Sequence, residues 1–380
     1  MEFELIIKKI NNTLTEAEAQ VFKDWYAASK EHRAYFHRVE RDYAQNPKEV
    51  DIETAWTKLS TRISPGKPRF FFLKYAAIFL VLISVTASLY YFQATNIEKD
   101  GVPKIVSKTS ITTIQPGSDK AVLTLEDGSE VVLEKGNDFK SANASSDGEQ
   151  LVYGSTVKNA AVEIQNNTLN IPRGGQFFVV LADGTKVWMN AETKLKYPVS
   201  FIDGETRAVE LVHGEAYFEV SPSELHKGAR FVVRTGNHDV EVFGTQFNVK
   251  AYADEKEVTT TLVEGKVTVT VGETSKKLQP GRQSAYSKET EEVQVSKVDV
   301  FNEISWKNGF FSFKDMPLEE IMKVLSRWYD FQITFDNRDV GKITFNGVFR
   351  RVERIEEILN IIEATNEVTY KINQNSITMK

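Results

Sequence analysis

Five histidines (His32, His37, His213, His226 and His238) are the side chains best placed to bind a metal or move a proton near neutral pH. Only His32 and His37 lie close together, and a spacing of five is a poor fit to the i, i+4 pair that sets two imidazoles on one helix face. His213-Gly214-Glu215 puts a potential general base beside a carboxylate, but inside a strand-rich run with no nucleophile placed in relation to it. The acidic pairs Glu291-Glu292 and Glu319-Glu320 are sequence neighbours, which is not the separation a glycosidase needs. The chain has no cysteine, which excludes disulfides, thiolate nucleophiles, zinc–thiolate sites and iron–sulfur clusters. No phosphate loop, GxSxG or dinucleotide fingerprint occurs. The expectation is no catalytic residue, no cofactor and no metal, which favours signalling or binding over catalysis.

The elements around these residues set the frame. At 380 residues the chain is too long for one compact core. A net charge of −6 gives no basic excess for phosphate backbones, so direct nucleic-acid binding is disfavoured. The mean hydropathy of −0.33 is that of a soluble protein, yet it averages over one long apolar run. From Tyr75 to Ile97 no residue is charged. As a helix this run reaches about 35 Å, enough to cross a hydrocarbon core of about 30 Å. Aromatics stand at both ends, Phe70 to Phe72 with Tyr75 and Tyr90 to Phe92, as rings at headgroup level do. The bland alternative is a buried core helix. Arg62, Lys67, Arg69 and Lys74 crowd the N-terminal flank, whereas Glu98, Lys99, Asp100 and Lys104 mix signs on the other. The positive-inside rule therefore predicts a single span over 73–95 with a cytoplasmic N-terminal segment, 1–69.

That segment reads as short helices. Thr15-Glu-Ala-Glu18 is a capping-box pattern, followed by Val21, Phe22, Trp25 and Ala28 on one face. Tyr35, Phe36, Val39 and Tyr43 form a second stripe, and Ile52, Ala55, Trp56, Leu59 and Ile63 a third after Asp51. These aromatics either form the core of a small bundle or leave faces that a partner completes.

Residues 102–300 read as all-β, a sandwich or a solenoid-like unit. Val267, Val269 and Val271 alternate with threonines, and Ala216, Phe218 and Val220 alternate similarly, the pattern of half-buried strands. Turn signals recur at Asp127-Gly128, Asp183-Gly184, Asp203-Gly204, Glu264-Gly265 and Pro280-Gly281. Pro116-Gly117 leads to LTLEDGSEVVL and Pro172-Arg-Gly-Gly175 to VVLADGTKVWM, two related hairpins separated by a polar loop at 137–150. Gly244-Thr245-Gln246 reads as a bulge or tight turn. The last part, 309–380, changes to an α+β module of order β-α-β, β-α-β-β. Asp315 and Pro317 are expected to open its first helix, with Leu318, Ile321, Met322 and Leu325 on one face, and Ile355, Ile358, Leu359 and Ile362 to line its second.

Five stretches together resemble the FecR family of transmembrane anti-sigma regulators: PRGGQFFVVLADGTKVWMNAETKLKYP (172–198), HGEAYFEV (213–220), VFGTQFNVKAY (242–252), TTLVEGKVTV (260–269) and LQPGRQSAY (278–286). The resemblance is closest over 170–290, in the branch that accompanies outer-membrane uptake systems. Residues 309–380 are similar to the short secretin- and TonB-receptor-type domain that closes this branch. The stretch LTEAEAQVFKDWYAASKEHRAYF (14–36) is similar to the family's sigma-binding region. The resemblance implies a single-pass inner-membrane protein with its C-terminal bulk periplasmic. An extracytoplasmic-function sigma factor would bind on the cytoplasmic side, the signalling domain of a TonB-dependent receptor on the other, and envelope proteases would act between. Sigma contacts would then fall on Leu14, Phe22, Trp25, Tyr26, Tyr35, Phe36 and Trp56, with Trp25 foremost. Gly174, Gly175, Asp183, Gly184, Trp188, Asn190, Gly214, Gly244, Phe247 and Asn248 match family motif positions and are expected to be structural. The alternative is a membrane-anchored envelope binding module, for example glycan-binding, with no sigma factor partner.

Overall fold

The computed structural model describes residues 114–154 and 165–380, together with Lys9, Ala19, Gln20, Phe22, Lys23, Tyr26, Ala27, Arg33 and Phe36. The chain divides into two compact units, Met1–Thr109 and Ser110–Lys380. The span expected over 73–95 lies outside the described residues. Among the described residues, no helix is long and apolar enough to cross a membrane. In the first unit the described residues are helical.

The second unit is mostly β. Its first strands are β1 (Ser118–Thr124), β2 (Glu130–Glu134), β3 (Phe139–Lys140), β4 (Ala144–Ser146), β5 (Gln150–Tyr153) and β6 (Asn166–Ile171). Then come β7 (Gly175–Val180), β8 (Lys186–Met189), β9 (Thr193–Pro198), β10 (Arg207–Glu219), β11 (Phe231–Thr235) and β12 (His238–Val242). The domain ends with β13 (Gln246–Ala251), β14 (Glu257–Glu264), β15 (Val267–Val271), β16 (Thr274–Leu278), β17 (Arg282–Ser287) and β18 (Val293–Lys297). One layer runs β2-β1-β6-β9-β10-β11-β12-β15-β16. The other runs β3-β4-β5-β7-β8-β10-β13-β14-β17-β18. Their inner faces share one core, in which Phe218 lies against Phe231 and stacks on Phe247.

β10 belongs to both layers, and Gly214 makes the crossing possible. The register of β10 against β9 shifts between Leu211 and His213. Gly214 has φ of 102°, and a Cβ there would stand 2.4 Å from the Thr193 backbone. Only glycine fits such a contact in the left-handed region. Thr193 Oγ1 locks the crossing by accepting the Glu215 N–H at 3.0 Å.

The two related hairpins are present and share their turn chemistry. Asp127 accepts from the N–H and hydroxyl of Ser129, and Asp183 does the same for Thr185. Gly128 and Gly184 follow in the left-handed conformation. The starts of the hairpins pair in parallel, Ser118 with Gly175 and Asp119 with Gln176. The stretch between them differs from expectation: 137–150 is not one polar loop but holds β3, β4 and the first residue of β5. Main-chain pairing with β7 extends the layer there in spite of the polar side chains. The Gly244-Thr245-Gln246 stretch is a bend followed by a register shift between Gln246 and Phe247. Glu291 and Glu292 occupy the β17–β18 turn.

The strands of the β-domain end at Lys297. Helix α1 (Val300–Ile304) and a single 3-10 turn (Ser305–Asn308) then lead into the C-terminal module. The module contains β19 (Phe310–Pro317), α2 (Leu318–Tyr329), β20 (Gln332–Phe335), α3 (Arg338–Gly341), β21 (Thr344–Arg350), α4 (Ile355–Glu363), β22 (Tyr370–Asn373) and β23 (Ser376–Met379). The expected order holds with one addition, the short α3. The strands pair across the two halves, β19 with β21 and β20 with β23. Pro317 opens α2 as its N-cap, as expected, but Asp315 does not, because β19 continues to Pro317. Asp315 sits at φ of 48° in an irregularity of β19, clasped to Asn346 by two hydrogen bonds. Glu319 and Glu320 lie in the first turn of α2, where acidic side chains favour the helix dipole. The two helical stripes are buried as expected, in a second core separate from the first.

His238 is wholly buried in the β-domain, with Nε2 3.1 Å from Thr260 Oγ1 and no partner for Nδ1 among the described residues. Burial pushes its imidazole down to about 4. Its neutral form is thus favoured on folding, and that contribution is complete above about pH 6.5 and lost as pH falls towards 4. We expect unfolding free energy to fall by roughly 3 kcal/mol over that window through this residue. Denaturant midpoints at several pH values should show a shallower acid loss in His238→Gln than in the parent, and parallel curves would refute the assignment.

Candidate functional site

The outer face of the second layer carries polar side chains, yet much of it is buried. Glu215 and Tyr217 of β10 and Asn248 of β13 alternate with residues of the shared core and are buried themselves; the 3-10 turn lies over Tyr217, and it and the C-terminal module close on Glu215. β10 is therefore buried on both faces at Ala216 to Phe218, not half-buried as its alternation suggests. Gln283 donates to Glu303 of α1 at 2.7 Å. Lys307 Nζ rests 4.2 Å from the Trp188 ring centre and 4.3 Å from that of Tyr217, and pairs with Glu219 at 3.1 Å.

The centre of this joint is a buried acid and a buried base linked by one amide. Glu215 accepts from Asn190 Nδ2 at 2.8 Å and from Asn248 Nδ2 at 3.0 Å. Burial raises its carboxyl above the usual range. Asn190 Oδ1 accepts in turn from Arg351 Nη2 at 2.9 Å. Arg351 lies over the Trp328 ring at 3.6 Å and donates to the Trp306 carbonyl at 3.1 Å. Burial draws its guanidinium down to about 10, which leaves it charged at neutral pH. A cavity of about 40 Å³ adjoins these groups. Arg351 Nε and Trp306 Nε1 have no partner among the described residues.

Two further arginines close the joint. Arg327 of α2 donates to Asp254 at 2.6 Å and Glu255 at 2.9 Å and stacks on Tyr252 at 3.8 Å. Arg173, in the turn before β7, reaches the opposite way. It donates to the carbonyls of Ser326 at 2.7 Å and Phe331 at 3.0 Å and pairs with Asp330 and Glu192. Beside it the Gly174 N–H donates to the Arg327 carbonyl at 2.7 Å. At the start of the first hairpin, Gly117 lies under Trp328, so close that a Cβ would stand 2.7 Å from the indole. Ile114, just before it, is buried in the second core. Among the described residues, no nucleophile is set beside a base here and no cluster of metal ligands occurs. What the arrangement does chemically is hold two modules together through charges.

Four family-motif residues meet at the joint: Gly174, Trp188, Asn190 and Asn248. The others lie elsewhere. Gly175 pairs with Ser118, and Gly214 sits at the crossing of β10. Asp183, followed by Gly184, forms a buried ion pair with Arg207 at 2.8 Å. Gly244 occupies the bend before β13, and Phe247 is in the core. Among the sigma-binding expectations, Phe22 and Phe36 are buried against each other at 5.2 Å, and Tyr26 packs on both. Leu14, Trp25, Tyr35 and Trp56 lie outside the described residues. Sequence reasoning missed Arg173, Arg207, Arg327 and Arg351 and weighed Glu215 only as a carboxylate beside a possible general base, His213. No local spacing points to them, because their partners are remote in the chain.

Residues 167–268 match the family model described as FecR protein, and residues 310–379 match that described as FecR, C-terminal. Crystal structures of a Parabacteroides distasonis ATCC 8503 protein classed as an anti-sigma factor, at 1.65 and 2.50 Å, share 30% identity with the chain at a TM-score of 0.51. The likeness covers 56% of this chain and 98% of the other. The chain belongs to the FecR family. A search of curated proteins finds none that matches. The two FecR regions bracket the joint: Arg173, Asn190 and Glu215 fall in the first, Arg327 and Arg351 in the second.

Removing Arg351 leaves the buried acceptors Asn190 Oδ1 and the Trp306 carbonyl without its donors and empties the space over Trp328. Arg351→Met is expected to lower stability by about 3 kcal/mol or more, read from denaturant midpoints. Gly117→Ala should cost about 1–3 kcal/mol by overpacking against Trp328, and a loss below about 0.5 kcal/mol would show that the indole gives way.

Proposed function

We propose that this FecR-family chain is a membrane-anchored anti-sigma regulator and not an enzyme. Its N-terminal segment, 1–69, holds an extracytoplasmic-function sigma factor on the cytoplasmic side of the inner membrane. The span at 73–95 connects it to a periplasmic β-domain and C-terminal module. The signalling domain of a TonB-dependent receptor docks on the C-terminal module by strand addition. The edge strand β22, which among the described residues pairs with β23 alone, is suited to that mode. Envelope proteases then free the sigma factor.

The observation that carries this reading is the likeness to the Parabacteroides protein classed as an anti-sigma factor, together with both FecR regions in order. The joint supports it physically. Two modules with separate apolar cores meet through arginines, and interfaces of that polar kind are the ones that reopen.

The full-length chain should co-purify with a sigma factor from its own cells. Trp25→Ala should weaken that capture by about 2 kcal/mol, roughly 30-fold, if the ring is a desolvated anchor. Replacing 309–380 by an unrelated domain should leave capture intact and abolish the response to inducer. Absence of any sigma factor in the pull-down would sink the proposal.

A further inference from the structure

A cleft of about 440 Å³ opens on the second layer beside the joint. Its lining includes an aromatic pair, Phe178 and Trp188, with ring centres 4.7 Å apart, and Trp306 of the segment that links the two modules. Among the described residues, the charged groups facing it are Asp119, Asp147 and Glu149 against one cation, Lys307. That cation is already committed to Glu219 and to the Trp188 and Tyr217 rings. Asp119 accepts from Gln176, and Asp147 from the Glu149 and Gln150 N–H groups, bonds that orient the carboxylates without neutralising them. Glu149 meets Lys135 only at 3.6 Å, in an exposed pair that solvent screens. The cleft is therefore aromatic and anionic. Lys307 displays what such a surface holds, a cation against an indole.

We propose that this cleft receives a basic side chain, arginine above all, from a segment of a partner polypeptide. A guanidinium offers a planar fork of donors to the carboxylates, and its flat face packs on an aromatic wall such as Phe178. A neutral sugar is the poorer fit, since it would leave the excess negative charge of Asp119, Asp147 and Glu149 unbalanced. Occupancy would be felt at the joint, because Trp306 lines the cleft and its carbonyl holds Arg351. The proposal deepens the reading of the chain as a signal receiver and rests on it for the purpose of the partner.

The test uses the full chain in detergent and a labelled Gly-Arg-Gly-Arg-Gly peptide, followed by fluorescence anisotropy. Saturable, salt-sensitive binding is expected, with at least tenfold weaker binding when citrulline replaces arginine. Asp147→Asn with Glu149→Gln should weaken binding tenfold or more, with the fold checked by circular dichroism; the amide introduced at the first position keeps an acceptor for both N–H groups. Asp203→Asn, at an exposed acid paired with Lys227, should change nothing. No saturable binding, equal binding of the citrulline peptide, or indifference to the double change overturns the proposal, as does binding of cellohexaose in place of the peptide. Sigma-factor capture by the same preparations separates the two failures: peptide loss with capture intact removes the cleft and leaves the regulator.

Discussion

The last carbonyls of a helix have no partner within the helix, and the end of α2 is where this structure meets that constraint. Asp330 closes the helix in the left-handed conformation, its N–H returning to the Ser326 carbonyl. The Phe331 N–H returns to Ser326 as well, and further donors come from far along the chain, Arg173 for Ser326 and for Phe331 just beyond the helix, and the Gly174 N–H for Arg327. The β-domain thus supplies part of the C-terminal cap of a helix in another module. From this contact follow the seat of Trp328 over Gly117, the position of Arg327 above Tyr252 and the reach of Arg351 to Asn190.

The seam these contacts make differs in kind from the cores on either side. The β-domain buries one apolar cluster and the C-terminal module another, with Ile114 lent to the second by the strand entry. Between them lie the buried Glu215, Arg351 and Arg327 with the partly buried Glu255 and Lys250, groups whose lost hydration is offset by specific partners. Such a seam fixes orientation more than it adds stability, since desolvation offsets much of the pairing energy. An apolar seam of the same extent would fuse the cores. A polar one holds one geometry while leaving the two cores distinct.

Several parts were legible before any tertiary contact was considered. Val267, Val269 and Val271 announced β15, and Leu318, Ile321, Met322 and Leu325 the buried face of α2, because burial on one face leaves a period of two or 3.6 in the residues. Asp127-Gly128 and Asp183-Gly184 announced matching turns, since an aspartate that accepts from the main chain two residues on acts locally. The strands in 137–150 were illegible because main-chain pairing, not side-chain pattern, makes them. Asp315 carries the mark of a helix start, yet pairing of β19 with β21 keeps it in the strand, and the helix opens at Pro317, its N-cap.

By itself, the sequence determined the strand-rich and helical stretches, the paired hairpins and the family, all of which rest on short-range patterns or on motifs read in order. Tertiary structure alone decided that Glu215 is a buried structural acid, that Asn190 bridges it to Arg351, and that Arg173 finishes a helix that begins far beyond it in the chain. The reason is physical. Periodicity records which face of an element is buried, but an arginine on a polar face looks the same whether solvent or a distant carboxylate awaits it.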